Sequence, residues 1–342
     1  MLDSIIFFGI VVFTNFFIFY FYKPIVNIYN LYDVPDFERK LHKKKIPLLG
    51  GLFLSINLLL IMLLSFIYPE ILDGNFFYNT KSYFSFFFIS ISFYFLGFFD
   101  DKYKLSPNFK LIAMVIFLSF ALFLDKDILL KNLNFIYFDY SLNLFGYSYF
   151  FTIFCFLLFI NAFNMLDGIN GQASSYFLFI MLLFLSKAIL IYLVFVFVVY
   201  VLFFLRLNFK NKSFLGDSGT LPLAFIASYL FIKSYNLGHN FSVEEIFLIM
   251  SVPGYELLRL AISRILNKKH PFEADNLHLH HLIFAKKKFL KTFLIIQFLL
   301  ISPYILLHLS DSFLFSLFAN LFMYIVIVIF FKKLNEKKKF IN

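Results

Sequence analysis

Five short clusters hold the residues best suited to chemistry, and each sits between long apolar runs. In GFFDDKYKLSPNFKL, Asp100 and Asp101 are adjacent. Neighbours on a helix point about 100° apart, so these carboxylates cannot share one task. One can hold a divalent cation while the other meets a phosphate. A solvated turn before Ser106-Pro107 would use the same residues. In NAFNMLDGINGQA, Asn161, Asn164 and Asp167 recur every third residue, which predicts one polar stripe on a helix. Such a stripe faces protein or water, since burial in hydrocarbon is costly. It can equally be hydrogen-bond glue between helices. Gly168 and Gly171 then allow a sharp turn or a close approach to a ligand.

In FLGDSGTLPLA, Asp217 stands between Gly216 and Ser218-Gly219-Thr220. It can cap a helix, or present a carboxylate to Mg²⁺ beside backbone N–H groups suited to phosphate. HPFEADNLHLHHLI gathers His270, His278, His280 and His281, four of the seven histidines. Zinc is the competing reading, but no cysteine is near, and adjacent His280-His281 chelates poorly from a regular helix. Imidazole N–H groups binding phosphate or pyrophosphate suit this lysine-rich stretch better. DVPDFERKLHKKKIPLLGG joins Asp33, Arg39, Lys40 and His42 to Gly50-Gly51. A basic loop of this kind also attracts anionic headgroups without any specific site.

The elements that must position these clusters are helices in lipid. The 342 residues are 61% hydrophobic and 15% charged, too apolar for a soluble domain. The one cysteine, Cys155, excludes an intrachain disulfide. No Lys or Arg precedes the first apolar run, which argues against a cleaved signal peptide. A helical span needs about 20 residues. Eleven such runs are expected, near 4–22, 48–67, 82–99, 108–124, 147–165, 173–187, 188–206, 219–235, 243–262, 292–309 and 312–331. The pair at 173–187 and 188–206 reads as two short helices with a tight turn at Lys187.

Odd-numbered spans then end on one side. Its segments 23–47, 100–110, 206–218, 263–291 and 332–342 carry 24 of the 30 Lys and Arg residues. The opposite side keeps Lys81, Lys126, Lys131, Lys187 and Lys233. This bias places the N-terminus outside and the C-terminus in the cytoplasm. It also turns the net charge of +10 into a statement about topology, away from nucleic acid. The alternation in KNLNFIYFDYSLNLF predicts a small hairpin on the outer side, within 125–146. The expected architecture is an all-α polytopic membrane protein, one domain over 1–342. Its site is expected in cytoplasmic loops near 23–47, 100–110, 164–172, 206–218 and 263–291.

From Asp33 to His281 the five clusters, in this order, resemble the polyprenyl-phosphate N-acetylhexosamine-1-phosphate transferase family. The resemblance implies a Mg²⁺-dependent enzyme of the bacterial inner membrane, with Mn²⁺ as the alternative ion. It would pass a sugar phosphate from a UDP-sugar to undecaprenyl phosphate and release UMP. It implies catalytic roles for Asp100, Asp101 and Asp167, and metal ligation by Asp217 and Asn164. Asp33, Arg39, Lys40, His42, Asn161, Asn164, His278, His280 and His281 would bind substrate. The His-x-His-His spacing resembles the branch using UDP-GlcNAc, which starts O-antigen, common-antigen or teichoic-acid linkers. The branch using UDP-muramoyl-pentapeptide usually carries three consecutive histidines. The implied partners are a UDP-N-acetylhexosamine, undecaprenyl phosphate and membrane lipid, with a homodimer allowed and no nucleic acid.

Three positions depart from the family pattern. Asn170 stands where a second Asp is usual, Gln172 where Leu is usual, and Glu256 where Asp is usual. The first two bear on which sugar is taken, with fucosamine or quinovosamine types as alternatives to GlcNAc. An anion transporter is the reading from a different class. Transporters place polar groups near the bilayer midplane on broken helices, whereas here they fall at helix ends.

Overall fold

The computed structural model describes residues 2–35, 44–69, 76–238, 241–268 and 277–339. The chain runs α1 (Leu2–Tyr20), α2 (Tyr22–Tyr29), β1 (Tyr32–Asp33), β2 (Ile46–Pro47), α3 (Gly50–Ile67), α4 (Thr80–Tyr103) and α5 (Pro107–Leu124). It continues with β3 (Asn132–Phe135), β4 (Tyr140–Asn143), α6 (Ser148–Asn164), α7 (Gln172–Ser186), α8 (Ile191–Asn208) and α9 (Asp217–Asn236). Last come α10 (Val243–Leu266), α11 (Leu279–Phe284), α12 (Phe289–Ser310) and α13 (Phe313–Lys339).

Local chemistry sets many of the boundaries. Asn79 accepts from the Ser82 N–H at 2.7 Å and starts α4. Ser106 caps α5, whose first residue is Pro107, a position where the missing N–H costs nothing. Ser242 and Glu245 form a reciprocal capping box at α10. The expected tight turn at Lys187 separates α7 from α8, and its Ala188 and Leu190 take left-handed φ values of 55° and 49°. The expected hairpin is also present, with β3 and β4 antiparallel from Asn132↔Asn143 to Phe135↔Tyr140.

Among the described residues, nine helices are long and apolar enough to cross a membrane: α1, α3 to α6, α8, α10, α12 and α13. Two of the eleven expected runs fall short of that measure, for different reasons. Helix α7 has 15 residues, about 22 Å at 1.5 Å per residue. Helix α9 is long enough but carries Ser218, Thr220, Ser228, Lys233 and Ser234. It tolerates them because every residue from Ser218 to Ser234 is buried, so the helix is solvated by protein instead of lipid. Around it, α1, α5 and α13 expose Phe13, Phe16, Ile112, Ile116, Phe318 and Phe322.

Helix α9 packs against α3, α4 and α6 along its length. Opposite the five clusters, its end is held by charge. Lys233 is fully buried and its Nζ lies 2.6 Å from Asp125 and 3.6 Å from Asp127. Ser82 of α4 and the Tyr229 hydroxyl bind the same Asp125 carboxylate. Lys233, read from sequence as an outer lysine, is therefore an internal strut. Lys233→Met would leave Asp125 buried without its counter-ion, a loss of about 3–5 kcal/mol in stability. A large fall in the thermal midpoint of purified protein is expected. Lys233→Met with Asp125→Leu should recover much of it.

Candidate active site

The site is built at the other end of α9, where α4 ends and α5 begins. Asp100 and Asp101 lie in the last turn of α4, which stays helical through Tyr103. Lys110 lies in the first turns of α5, and Asp217 is the first residue of α9. Lys110 Nζ bonds Asp100 at 2.8 Å and Asp217 at 3.3 Å. The Asp100 and Asp217 carboxyls also meet each other directly. The Leu105 N–H adds a 2.8 Å bond to Asp100, which pins that carboxylate where α4 ends.

Asp101 has a separate set of partners, as its position about 100° round the helix requires. Its two oxygens accept the N–H groups of Asp217 at 2.9 Å and Ser218 at 3.0 Å. It thus caps α9 from another helix, satisfying donors that a helix start leaves open. Two glycines permit this approach. A Cβ at Gly97 would lie 2.2 Å from the Asp217 carbonyl oxygen. Gly216 has φ +69°, and a Cβ there would lie 2.6 Å from Asp101 Oδ2.

The Asn161, Asn164, Asp167 series is not one helical stripe. Helix α6 ends at Asn164, and Asp167 lies in the turn that follows. Asn161 donates back to its own helix, to the Leu157 carbonyl at 2.8 Å. Asn164 accepts from Thr220 of α9 at 3.3 Å, three residues on from Asp217. Asp167 accepts the Gly216 N–H, so the turn brings it to the loop that leads into Asp217. Gly171, at φ +78°, closes the turn, and its N–H is held by the Asn208 side chain.

Burial, with the Asp101 and Asp33 carboxylates nearby, pushes the Asp167 carboxyl up to about 7 from its usual 3.8, against the Gly216 bond. Between those values the folded protein holds a proton that the unfolded chain releases. Its stabilising effect is therefore present at low pH and lost as pH rises through about 7. In metal-free buffer, Asp167→Asn should melt increasingly above the wild type as pH goes from 5 to 8. A constant gap across that range would contradict this.

The histidine loop reaches the same turn. The His280 ring lies over Gly168, where a Cβ would fall 1.9 Å from it. Ring centres of His280 and His281 are 4.3 Å apart, and those of His278 and His280 are 5.3 Å apart. Burial and the two neighbouring imidazoles hold His280 well below the usual range, so it is neutral near pH 7.

Asp33 lies on β1, which pairs with β2. Just after β2, the Leu49 N–H donates to Ser213 at 3.1 Å and Gly50 N–H to the Phe214 carbonyl at 3.2 Å. The strand pair is thereby tied to the loop preceding Asp217. Arg39, Lys40, His42 and His270 lie outside the described residues. Of the unusual positions, Asn170 bonds Asn211 at 2.7 Å on the surface. Gln172 is buried with neither side-chain amide atom bonded, and nothing in the structure explains it. Lys110 was not singled out from sequence. Its signal was faint: a lysine one turn inside a Ser-Pro-initiated helix, facing the paired aspartates.

Comparison with known proteins finds a family and several relatives similar to this chain. Glycosyl transferase family 4 matches residues 83–235, the stretch that carries Asp100, Asp101, Lys110, Asn164, Asp167 and Asp217. Over that stretch the chain is similar to this family. It is 27% identical over 288 residues to the undecaprenyl-phosphate alpha-N-acetylglucosaminyl 1-phosphate transferase of Salmonella typhi, covering 80% of this chain and 74% of the relative. To the Thermotoga maritima protein of the same description it is 28% identical over 303 residues, covering 86% and 85%. These similarities give support, at the level of the family, for a polyprenyl-phosphate N-acetylhexosamine-1-phosphate transferase reaction.

Proposed function

We propose that this protein transfers N-acetylglucosamine 1-phosphate from UDP-GlcNAc to undecaprenyl phosphate, releasing UMP, at the cytoplasmic face of a bacterial inner membrane. The observation that carries the reading is the junction of α4, α5 and α9, where Asp100, Lys110 and Asp217 meet beside the Asp167 turn and the histidine loop. The lysine bias of the flanking segments supports the cytoplasmic orientation, with the N-terminus outside. Eleven spans, with α7 and α9 included, keep both termini where that bias requires.

The donor set suits Mg²⁺. Among the described residues no three His, Cys, Asp or Glu side chains form a ready metal cage. Mg²⁺ rarely uses one; it takes one or two carboxylates, several waters and the oxygens of a substrate phosphate. Asp217 and Asn164 offer hard oxygen donors, and Thr220 links them at this end of α9. Mg²⁺ held there would neutralise the UDP-sugar diphosphate, the main requirement of phosphoryl transfer.

The chain's own groups do the rest. Lys110 and Asp100 orient the lipid phosphate, with the ammonium drawing the anion to the helix ends. Phosphate near pH 7 is already largely anionic, so Asp100 positions more than it deprotonates. The lipid phosphate oxygen attacks the sugar-linked β-phosphorus. The bond from that phosphorus to the bridging oxygen breaks, and UMP leaves with that oxygen. Asp101 acts through α9, holding Asp217 in place, and Asp167 does the same through Gly216. The imidazoles of His278, His280 and His281 offer N–H donors to the diphosphate.

The reading is tested with purified protein, undecaprenyl phosphate and a panel of UDP-sugars. UDP-GlcNAc should give UMP and a lipid-linked sugar in equal amounts, activity should vanish with EDTA, and Mg²⁺ should restore it. Turnover with only a fucosamine- or quinovosamine-type sugar would move the specificity while keeping the reaction. Uptake of an anion into vesicles without UMP release would instead favour transport.

A further inference from the structure

Helix α10 carries an ion pair, a buried Glu256 with a part-exposed Arg259, that does not belong to the carboxylate junction. Glu256 and Arg259 are three residues apart, after Pro253. Arg259 Nη2 lies 2.8 Å from Glu256 Oε1, and its Nε lies 3.1 Å from Oε2. The Tyr324 hydroxyl of α13 donates to Oε2 at 2.6 Å. The remaining bonds leave the helices and grip the histidine loop. The Leu279 N–H donates to Glu256 Oε1 at 2.7 Å, and Arg259 Nη2 donates to the Leu277 carbonyl at 2.7 Å. These two bonds bracket His278, whose Nδ1 lies 4.0 Å from the same Glu256 oxygen. A second tie comes from Asn335 of α13, which donates to the Leu282 carbonyl at 3.1 Å.

A buried carboxylate repays its desolvation only when its bonding sites are filled, and here Arg259, Tyr324 and the Leu279 N–H fill those of Glu256. The acid supplies acceptors for an N–H, and the base supplies a donor for a carbonyl. Neither a lone carboxylate nor a lone guanidinium could hold both sides of one residue. The consequence lies on the far side of His278, where the His280 ring is set over Gly168 beside Asp167.

We propose that Glu256 and Arg259 are positioning residues for the reaction: their pair fixes the backbone on both sides of His278 and so sets the three imidazoles against the Gly168 turn. They touch no reacting atom. This assignment rests on the transferase reading for its kinetic consequence and on geometry alone for its structural one. Glu256 is unusual for the family as read from sequence, and the structure matches it with Arg259 one turn on.

The test separates loop from helix. Arg259→Met keeps much of the stem but cuts the grip on Leu277. Glu256→Gln keeps the shape and loses the charge. Tyr324→Phe cuts the tie between α10 and α13 and leaves both loop bonds. Full-length protein in nanodiscs is treated with diethyl pyrocarbonate, and histidine acylation is read by peptide mass spectrometry, with half-exposed His308 as internal control. His280 should label about tenfold faster in Arg259→Met and in Glu256→Gln, but at the wild-type rate in Tyr324→Phe. KM for the UDP-sugar should rise about tenfold in the first two, with kcat within about twofold and rescue of neither by added Mg²⁺. Wild-type labelling in both loop variants, or equal acceleration in Tyr324→Phe, overturns the assignment. Labelling needs no turnover, so an inactive wild type would count against the transferase reading alone.

Discussion

Asp217→Asn is expected to lower UMP release by about 10³-fold or more, the scale on which phosphoryl transfer responds to losing a group that manages its charge. The substitution keeps size and removes one negative charge where α9 begins. Two effects follow from the geometry. The site loses the carboxylate assigned to Mg²⁺, and Lys110 turns wholly to Asp100, which it already holds at 2.8 Å. Raising Mg²⁺ should recover little, because a neutral amide is a poor ligand for a hard cation. The fold should survive, since Asp101 caps α9 through the backbone N–H groups of 217 and 218, which the change leaves in place. Near-normal turnover in a correctly folded variant would remove Asp217 from the metal site.

The second large effect is expected from replacing His280 and His281 together by Ala. Hydrogen bonds to a charged group are worth about 1.5–3 kcal/mol each. Losing two should cut kcat/KM for the UDP-sugar by about 10²-fold or more, since about 1.4 kcal/mol is tenfold. The loss should fall mainly on KM if the imidazoles hold the diphosphate before reaction as well as during it. His280 contributes shape besides, because its ring covers Gly168. His281→Ala alone should therefore be milder than the pair. Unchanged kinetics in the double variant would leave the loop without a role in substrate binding. Stoichiometric zinc in purified wild type would revive the metal reading of these histidines.

Much of this was legible in the residues. Apolar runs marked where the long helices lie, and the Lys187 turn and the 125–146 hairpin were both readable from local patterns. Hydropathy could not separate a helix solvated by lipid from one solvated by protein. That is why α9, with its buried Lys233, reads as an ordinary span with an outer lysine. Spacing was a partial guide to the site. It separated Asp100 from Asp101 correctly, but it drew Asp167 onto α6, which stops at Asn164. The turn at Gly168 and Gly171 depends on Asn208 from the next-but-one helix, a contact that no local pattern carries. Lys110 and the Glu256–Arg259 pair were hidden for the same reason. Each acquires its meaning from a partner brought near by the fold.

The central claim is that a phosphoryl group, with its sugar attached, moves to a lipid at the junction of α4, α5 and α9. It is tested most directly with UDP-GlcNAc labelled with ³²P at the β-phosphate and incubated with purified protein and undecaprenyl phosphate. The account predicts label in the lipid fraction, still bonded to the sugar, with unlabelled UMP released mole for mole. It also predicts that Asp217→Asn stops both. Label retained in UDP while the sugar alone reaches the lipid would contradict it, since the bond broken would then be the sugar's own and not the diphosphate's.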